Sequence, residues 1–183
     1  MSPPPPFPRI VVVAVSVFSA SIICPLSQAA DAPRLNPALK PGQNFNLAQF
    51  KLQLPVASGN GVLEILPAQL PSYTSEFFFT DKTTGAMVMS VPSNGAHTSG
   101  SKYPRTELRS NTDFMISTAN SSLTVSMAVL ETPKRNNVVI GQLKGEADQP
   151  LELRWMEGSI VASVKPAFKQ STTPDYTIVK GLK

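Results

Sequence analysis

Cysteine and histidine are almost missing from this sequence: Cys24 and His97 are the only ones among 183 residues. With one cysteine there is no disulfide framework, and Cys24 lies in an N-terminal apolar stretch expected to be removed, which leaves no thiol nucleophile. One histidine, and no cluster of histidine with acidic residues at ligand spacing, gives no reason to expect a metal centre. Basic residues form no run and no patch interleaved with aromatics, which argues against nucleic-acid binding. There is no internal repeat and no Gly/Ser linker. No window carries an apolar stripe of helical period over any length, which excludes a helical bundle.

What is present divides into three parts. Residues 1–30 read as a secretory signal peptide: Arg9 supplies the positive charge, Ile10 to Cys24 the apolar run, and Ser27-Gln28-Ala29-Ala30 the small residues for cleavage near Ala29 or Ala30. The run is short for a membrane span, which needs about 20 residues. Ile22 and Ile23 directly before Cys24 argue against a lipoprotein site. The expected product is secreted or periplasmic, free of the membrane after cleavage, and monomeric. Residues 31–46 read as a Pro- and Asn-rich lead-in, loosely ordered, and residues 47–183 as one domain. Without Arg9, 15 Lys and Arg stand against 12 Asp and Glu, a net of +3. That mild excess suits a polyanionic partner.

The domain reads as all-β. Phe50, Leu52 and Leu54 alternate with Lys51 and Gln53, the period of a half-buried strand that ends at Pro55. Ser58 to Gly61 is a turn, and Val62 to Leu66 a short apolar stretch. Pro67 to Leu70 fits one helical turn. Glu76 to Thr80 and Met87 to Val91 read as strands joined by a hairpin loop over Asp81 to Gly85. Leu123 to Val129, Val138 to Leu143, Leu151 to Met156, Ser159 to Lys165 and Tyr176 to Val179 continue the pattern, with a tight turn at Glu157-Gly158. Eighteen prolines fit loops and edge strands. Many short strands separated by turns mean a sandwich or barrel.

The chemistry concentrates in Tyr103-Pro104-Arg105-Thr106-Glu107-Leu108-Arg109. At two-residue spacing on a strand, Arg105, Glu107 and Arg109 share one face, and Thr106 and Leu108 the other. Two guanidiniums separated by one carboxylate make a rigid, mostly positive ladder that matches carboxylates in fixed geometry. The plain alternative is a solvated strand face with cross-strand ion pairs. Gln142 and Lys144 share a face of a second strand by the same rule.

These blocks together resemble the alginate lyases of polysaccharide lyase family 7. The residues that carry the resemblance are Phe50 to Val56, Asn94-Gly95-Ala96 with Thr98 to Ser101, Tyr103 to Arg109, and Val138 to Gly145. The resemblance runs from about Leu47 to the end of the chain. It implies a jelly-roll β-sandwich of concanavalin-like type, whose concave sheet holds an anionic polysaccharide such as alginate. It also implies β-elimination without metal or cofactor. Arg105 and Gln142 would neutralise the uronate carboxylate, and Glu107 and Arg109 would shape the sugar subsites, with Lys51 and Gln53 on the same substrate face.

Two features depart from the family pattern. Lys144 stands where the family usually has histidine. A lysine with an ordinary pKa of about 10.4 holds its proton at neutral pH and takes none. Either burial or the nearby Arg105 lowers it into use, or Lys144 only adds positive charge, or it has no role. His97, in the loop before the Arg105 strand, is a weaker candidate for the missing base. The family's acid/base tyrosine belongs to a Tyr-Phe-Lys-Ala-Gly motif that does not occur here, and Tyr73, Tyr103 and Tyr176 sit in other contexts. The expectation is that the C-terminal strands of the domain are missing from a chain that stops at Lys183. A non-catalytic carbohydrate-binding or degenerate relative is therefore the competing reading.

Overall fold

The structure, a computed structural model, describes residues 34–111, 124–144, 149–165 and 174–182, together with the backbone of 12–13 and 15–16. The strands are Val12–Val13 (β1), Val15–Ser16 (β2), Phe50–Ser58 (β3), Gly61–Ile65 (β4), Phe78–Thr80 (β5), Met87–Met89 (β6), Glu107–Ser110 (β7), Thr124–Val125 (β8), Asn137–Leu143 (β9), Leu151–Met156 (β10), Ser159–Val164 (β11) and Asp175–Val179 (β12). One helical turn, Pro41–Asn44 (α1), and a 3₁₀ segment at Pro67–Ser72 complete the elements. Every strand pairing is antiparallel. Two compact units result, residues 11–128 and residues 129–183.

In the first unit, β3 runs between β4 and β7, and β6 between β1 and β5. β2 and β8 form a short pair of their own. Alternation sends Leu52 and Leu54 of β3 inward, where they meet Ile65, Phe78, Met87, Leu70, Phe45 and Leu47 in one buried cluster. Each such side chain contributes about 1.5–3 kcal/mol when fully buried. Leu108 packs against the same cluster from β7, so the face opposite Arg109 is fixed by apolar burial. The β5–β6 loop is held by Asp81, whose carboxylate accepts from the amides of Thr83 and Thr84 and from the Thr84 hydroxyl. Those bonds, the Thr84 amide first, keep its carboxyl below the usual range.

Three expectations change here. The lead-in is fixed from Arg34 onward rather than loose. Asn44 bonds the backbone of Asn36, Pro41 is buried, and Phe45 enters the core, because this stretch supplies apolar cover for the end of the sheet. Pro55 does not end its strand. β3 continues to Ser58, with the pairing to β4 slipping between Gln53 and Ala57, and a bulge is where a strand tolerates a residue without an N–H. The 123–129 strand is confined to Thr124–Val125, residues 112–123 lying outside the described part.

The second unit is a four-stranded sheet in the order β12-β11-β10-β9. Glu157 and Gly158 join β10 to β11 with φ of 48° and 76°. Two successive left-handed residues make the two-residue turn whose twist suits a hairpin. Among the described residues, this unit's buried apolar side chains are Val138, Val161 and Ala162.

Candidate active site

The polar face of β3 and its neighbours gathers most of the residues singled out from sequence. Lys51 lies directly opposite Arg109, and Gln53 opposite Glu107 on one side and Glu64 on the other. Glu64, Gln53 and Glu107 therefore form one row across three strands, with Lys51 and Arg109 in the next. Lys51 Nζ reaches Glu64 Oε2 at 3.0 Å, and Gln53 Nε2 donates to Glu64 Oε1. The Gln53 bond, ahead of the Lys51 contacts and the field of Arg109, holds the Glu64 carboxyl below its ordinary range. Gln53 is only 3% exposed, and its Oε1 has no hydrogen-bond partner among the described residues.

Arg105 lies just before β7, which begins at Glu107. Its NH1 donates to Glu107 Oε2 at 3.1 Å, and both side chains are about three-quarters buried. Thr106 between them points the other way, its hydroxyl donating to the Ser90 carbonyl at 2.6 Å. Alternation thus places Arg105, Glu107 and Arg109 together as the spacing predicts. Arg109 makes no ion pair with a carboxylate among the described residues. Three cations, Lys51, Arg105 and Arg109, surround two carboxylates on this face.

The loop that carries His97 is tied to this strand. The Ala96 amide donates to the Pro55 carbonyl at 2.9 Å. A Cβ on Gly95 would stand 2.7 Å from Pro55 Cβ and 3.1 Å from Pro104 Cβ, so only glycine permits the approach. His97 itself is exposed and bonds the neighbouring Thr98 carbonyl through Nδ1. Tyr73 packs against Phe78 at the core, with ring centroids 6.5 Å apart. Tyr103 and Tyr176 are exposed.

Gln142 and Lys144 belong to the second unit. Gln142 is half-buried on β9, opposite Glu152 of β10. The strand stops at Leu143, where its last rung pairs with Leu151, so Lys144 lies exposed one residue past the ladder rather than on a strand face. The sheet continues the polar row: Glu152 lies opposite Ser163, and Ser163 opposite Asp175. Arg154 ties the row together. Its NH2 donates to Ser163 Oγ at 2.8 Å and to Asp175 Oδ2 at 2.6 Å, and its Nε lies 3.4 Å from Glu152 Oε1. The Ser163 hydroxyl bond, then Arg154, keeps the Asp175 carboxyl low.

Sequence reasoning passes over Glu64, Glu152, Arg154, Ser163 and Asp175. For Glu64 a signal exists, since counting back from the Gly59 turn puts it on the Gln53 face; the bulge then moves it two residues along.

The antiparallel sheets are those of the jelly-roll type, as the similar solved proteins show. An alginate lyase from Pseudomonas aeruginosa, solved at 2.0 Å, matches with a TM-score of 0.54 and 22% identity over 73% of this chain and 66% of that one. A family 7 alginate lyase crystallised with two substitutions and its substrate (GGMG) matches with a TM-score of 0.55 and 25% identity over 79% of this chain and 67% of that one. This chain therefore spans about two thirds of their length. No curated protein matches the sequence. The sequence signature of the alginate lyases covers residues 45–183, and the chain belongs to that family.

Proposed function

We propose that the protein is an exported lyase that binds alginate, or a closely similar polyuronate, on the polar face of β3 and β7 and cleaves it by β-elimination. In that reaction a base removes the proton at C5, next to the carboxylate. The C5–H electron pair forms the new C4–C5 double bond, and the bond from C4 to the glycosidic oxygen breaks with protonation of that oxygen. One product ends in an unsaturated uronate. The C5 proton is weakly acidic because the carboxylate beside it is already negative. Donors aimed at the carboxylate, where further charge develops, therefore lower the barrier.

Arg105 takes that task in this reading. Glu107, Arg109, Lys51 and Gln53 contact the neighbouring sugars. The observation that carries the proposal is Arg105 itself. Its side chain is about three-quarters buried, braced by Glu107 at 3.1 Å, and shares its face with two more cations. A guanidinium held that way is oriented for a carboxylate before the polymer arrives. The test is Arg105→Ala, assayed by the ultraviolet absorbance of the unsaturated product. Loss of cleavage with an unchanged circular dichroism spectrum supports the assignment, and turnover like the parent's overturns it.

Exposed Lys144, in place of the family's histidine, favours a second reading. In it the protein binds the polysaccharide without cutting it. Affinity for alginate with no product absorbance from the unaltered protein would select this reading over the first.

A further inference from the structure

Lys51, one of the side chains assigned to the polymer, is held by a residue with no role assigned to it. Glu64 lies on β4 between Leu63 and Ile65, which pack into the buried cluster, so alternation turns its carboxylate onto the polar face of β3. There each oxygen has its own donor. Oε1 accepts from Gln53 Nε2, and Oε2 accepts from Lys51 Nζ at 3.0 Å. Gln53 is a buried residue, so its bond anchors the carboxylate from within the sheet. The other oxygen is left to hold the lysine.

The arrangement repeats that of Arg105 and Glu107, with the acid supplied by a neighbouring strand. Lys51 and Arg105 each have one carboxylate, at 3.0 and 3.1 Å, and all four side chains are mostly buried. β4 and β7 flank β3 on opposite sides, so Glu64 bonds Lys51 from the side away from Arg109. One of the three N–H donors of the ammonium is spent on Glu64, and two are left for another group. Lysine gains much from such a brace. Unbraced, its long stem spreads over many rotamers, and a ligand must collapse them on binding.

We propose that Glu64 is a positioning residue, anchored by Gln53, that holds Lys51 ready for the polyuronate and touches no sugar itself. The inference rests on the reading of Lys51 as a contact of the polymer. Its consequence is that Glu64 acts on affinity rather than on the chemical step, and acts through Lys51.

The experiment is a double-mutant cycle of Glu64→Gln and Lys51→Ala in the full protein, with Arg105→Ala alongside. Product absorbance on alginate gives kcat and KM, and Kd for alginate replaces KM if the parent binds without cutting. Glu64→Gln keeps an oxygen to accept from Gln53 and removes the charge that holds Lys51, so the cycle isolates the lysine. Raised salt screens the extra positive charge that this variant leaves on the face. KM should rise about fivefold in Glu64→Gln, the cost of ordering one freed side chain on binding, with kcat at the parent value. In the Lys51→Ala background the same substitution should add nothing. A role in the fold alone lowers kcat through a smaller folded fraction, leaves KM unchanged and adds to Lys51→Ala, and that pattern overturns the proposal. A KM that falls means that Glu64 competes with the polymer for Lys51, and overturns it too. So does a parent-like KM in Lys51→Ala, which leaves the main reading standing if Arg105→Ala is inactive. A parent that neither binds nor cuts alginate removes the main reading and this one with it.

Discussion

The two units place polar sheet faces over very different foundations. Under Lys51, Gln53 and Arg109 lie Leu52, Leu54, Phe78 and Met87, all buried in one cluster. In the other unit, buried apolar side chains are few among the described residues, and order on the polar face comes from Arg154 and its carboxylate partners. The first face is held from beneath by hydrophobic burial. The second is held sideways by charge and hydrogen bonds. Apolar burial holds no charge to screen or titrate, and a partly exposed ion network does. A face of the first kind is suited to holding a guanidinium steady.

The largest expected effect sharpens that division of labour. Arg105→Ala should lower turnover about 10²–10³-fold, the loss seen when one donor to a developing charge is removed, with the urea midpoint almost unchanged. Next, Leu52→Ala should cost about 2–5 kcal/mol of unfolding free energy. Val161→Ala, in the other unit, should cost about 1–2 kcal/mol at about 0.8 kcal/mol per buried carbon. Urea denaturation of both variants checks the contrast, and equal losses would break it.

A smaller effect concerns acid. The Glu64 carboxyl sits below its ordinary range, so the bound state of its proton differs between folded and unfolded chains. Its stabilisation is complete above the ordinary glutamate range and is lost as pH falls through the lowered value. Glu64→Gln should therefore flatten the acid limb of a stability profile while leaving its neutral side lower by about 1 kcal/mol or less, since the pair with Lys51 is about one-third exposed. The smallest effect is expected for Asp175→Asn. The carboxyl is lowered in the same direction, by Ser163 and then Arg154, but its side chain is 50% exposed. Its acid limb should shift less than that of Glu64→Gln, and added salt should erase the difference.

Much of the first face was legible from period alone. Alternation separates Leu52 and Leu54 from Lys51 and Gln53, and Leu108 from Arg105, Glu107 and Arg109; the structure keeps both separations. The Asp81–Gly85 loop and the Glu157-Gly158 turn are also where their residues place them. What stays hidden depends on partners distant in sequence. Nothing local says that Phe45 enters the core, because its burial comes from elements that follow it. Arg154 is one charged residue on an alternating strand until β11 and β12 bring Ser163 and Asp175 beside it. Lys144 looked like a strand residue because the two-residue count ignores where the ladder ends.

Pro55 has a consequence for dynamics. A proline puts no N–H into the β3 ladder, and its carbonyl is taken by the Ala96 amide of the following loop. The His97 loop thus hangs from the strand at the place where the strand's own pairing is interrupted. Amide exchange should be slower at Ala96, bonded to the strand, than at Gly95 and Ser101, whose amides bond within the loop. The Ala96 rate reports the unzipping of β3 from outside the sheet, and a ligand that steadies Lys51 and Gln53 should slow it without touching the loop.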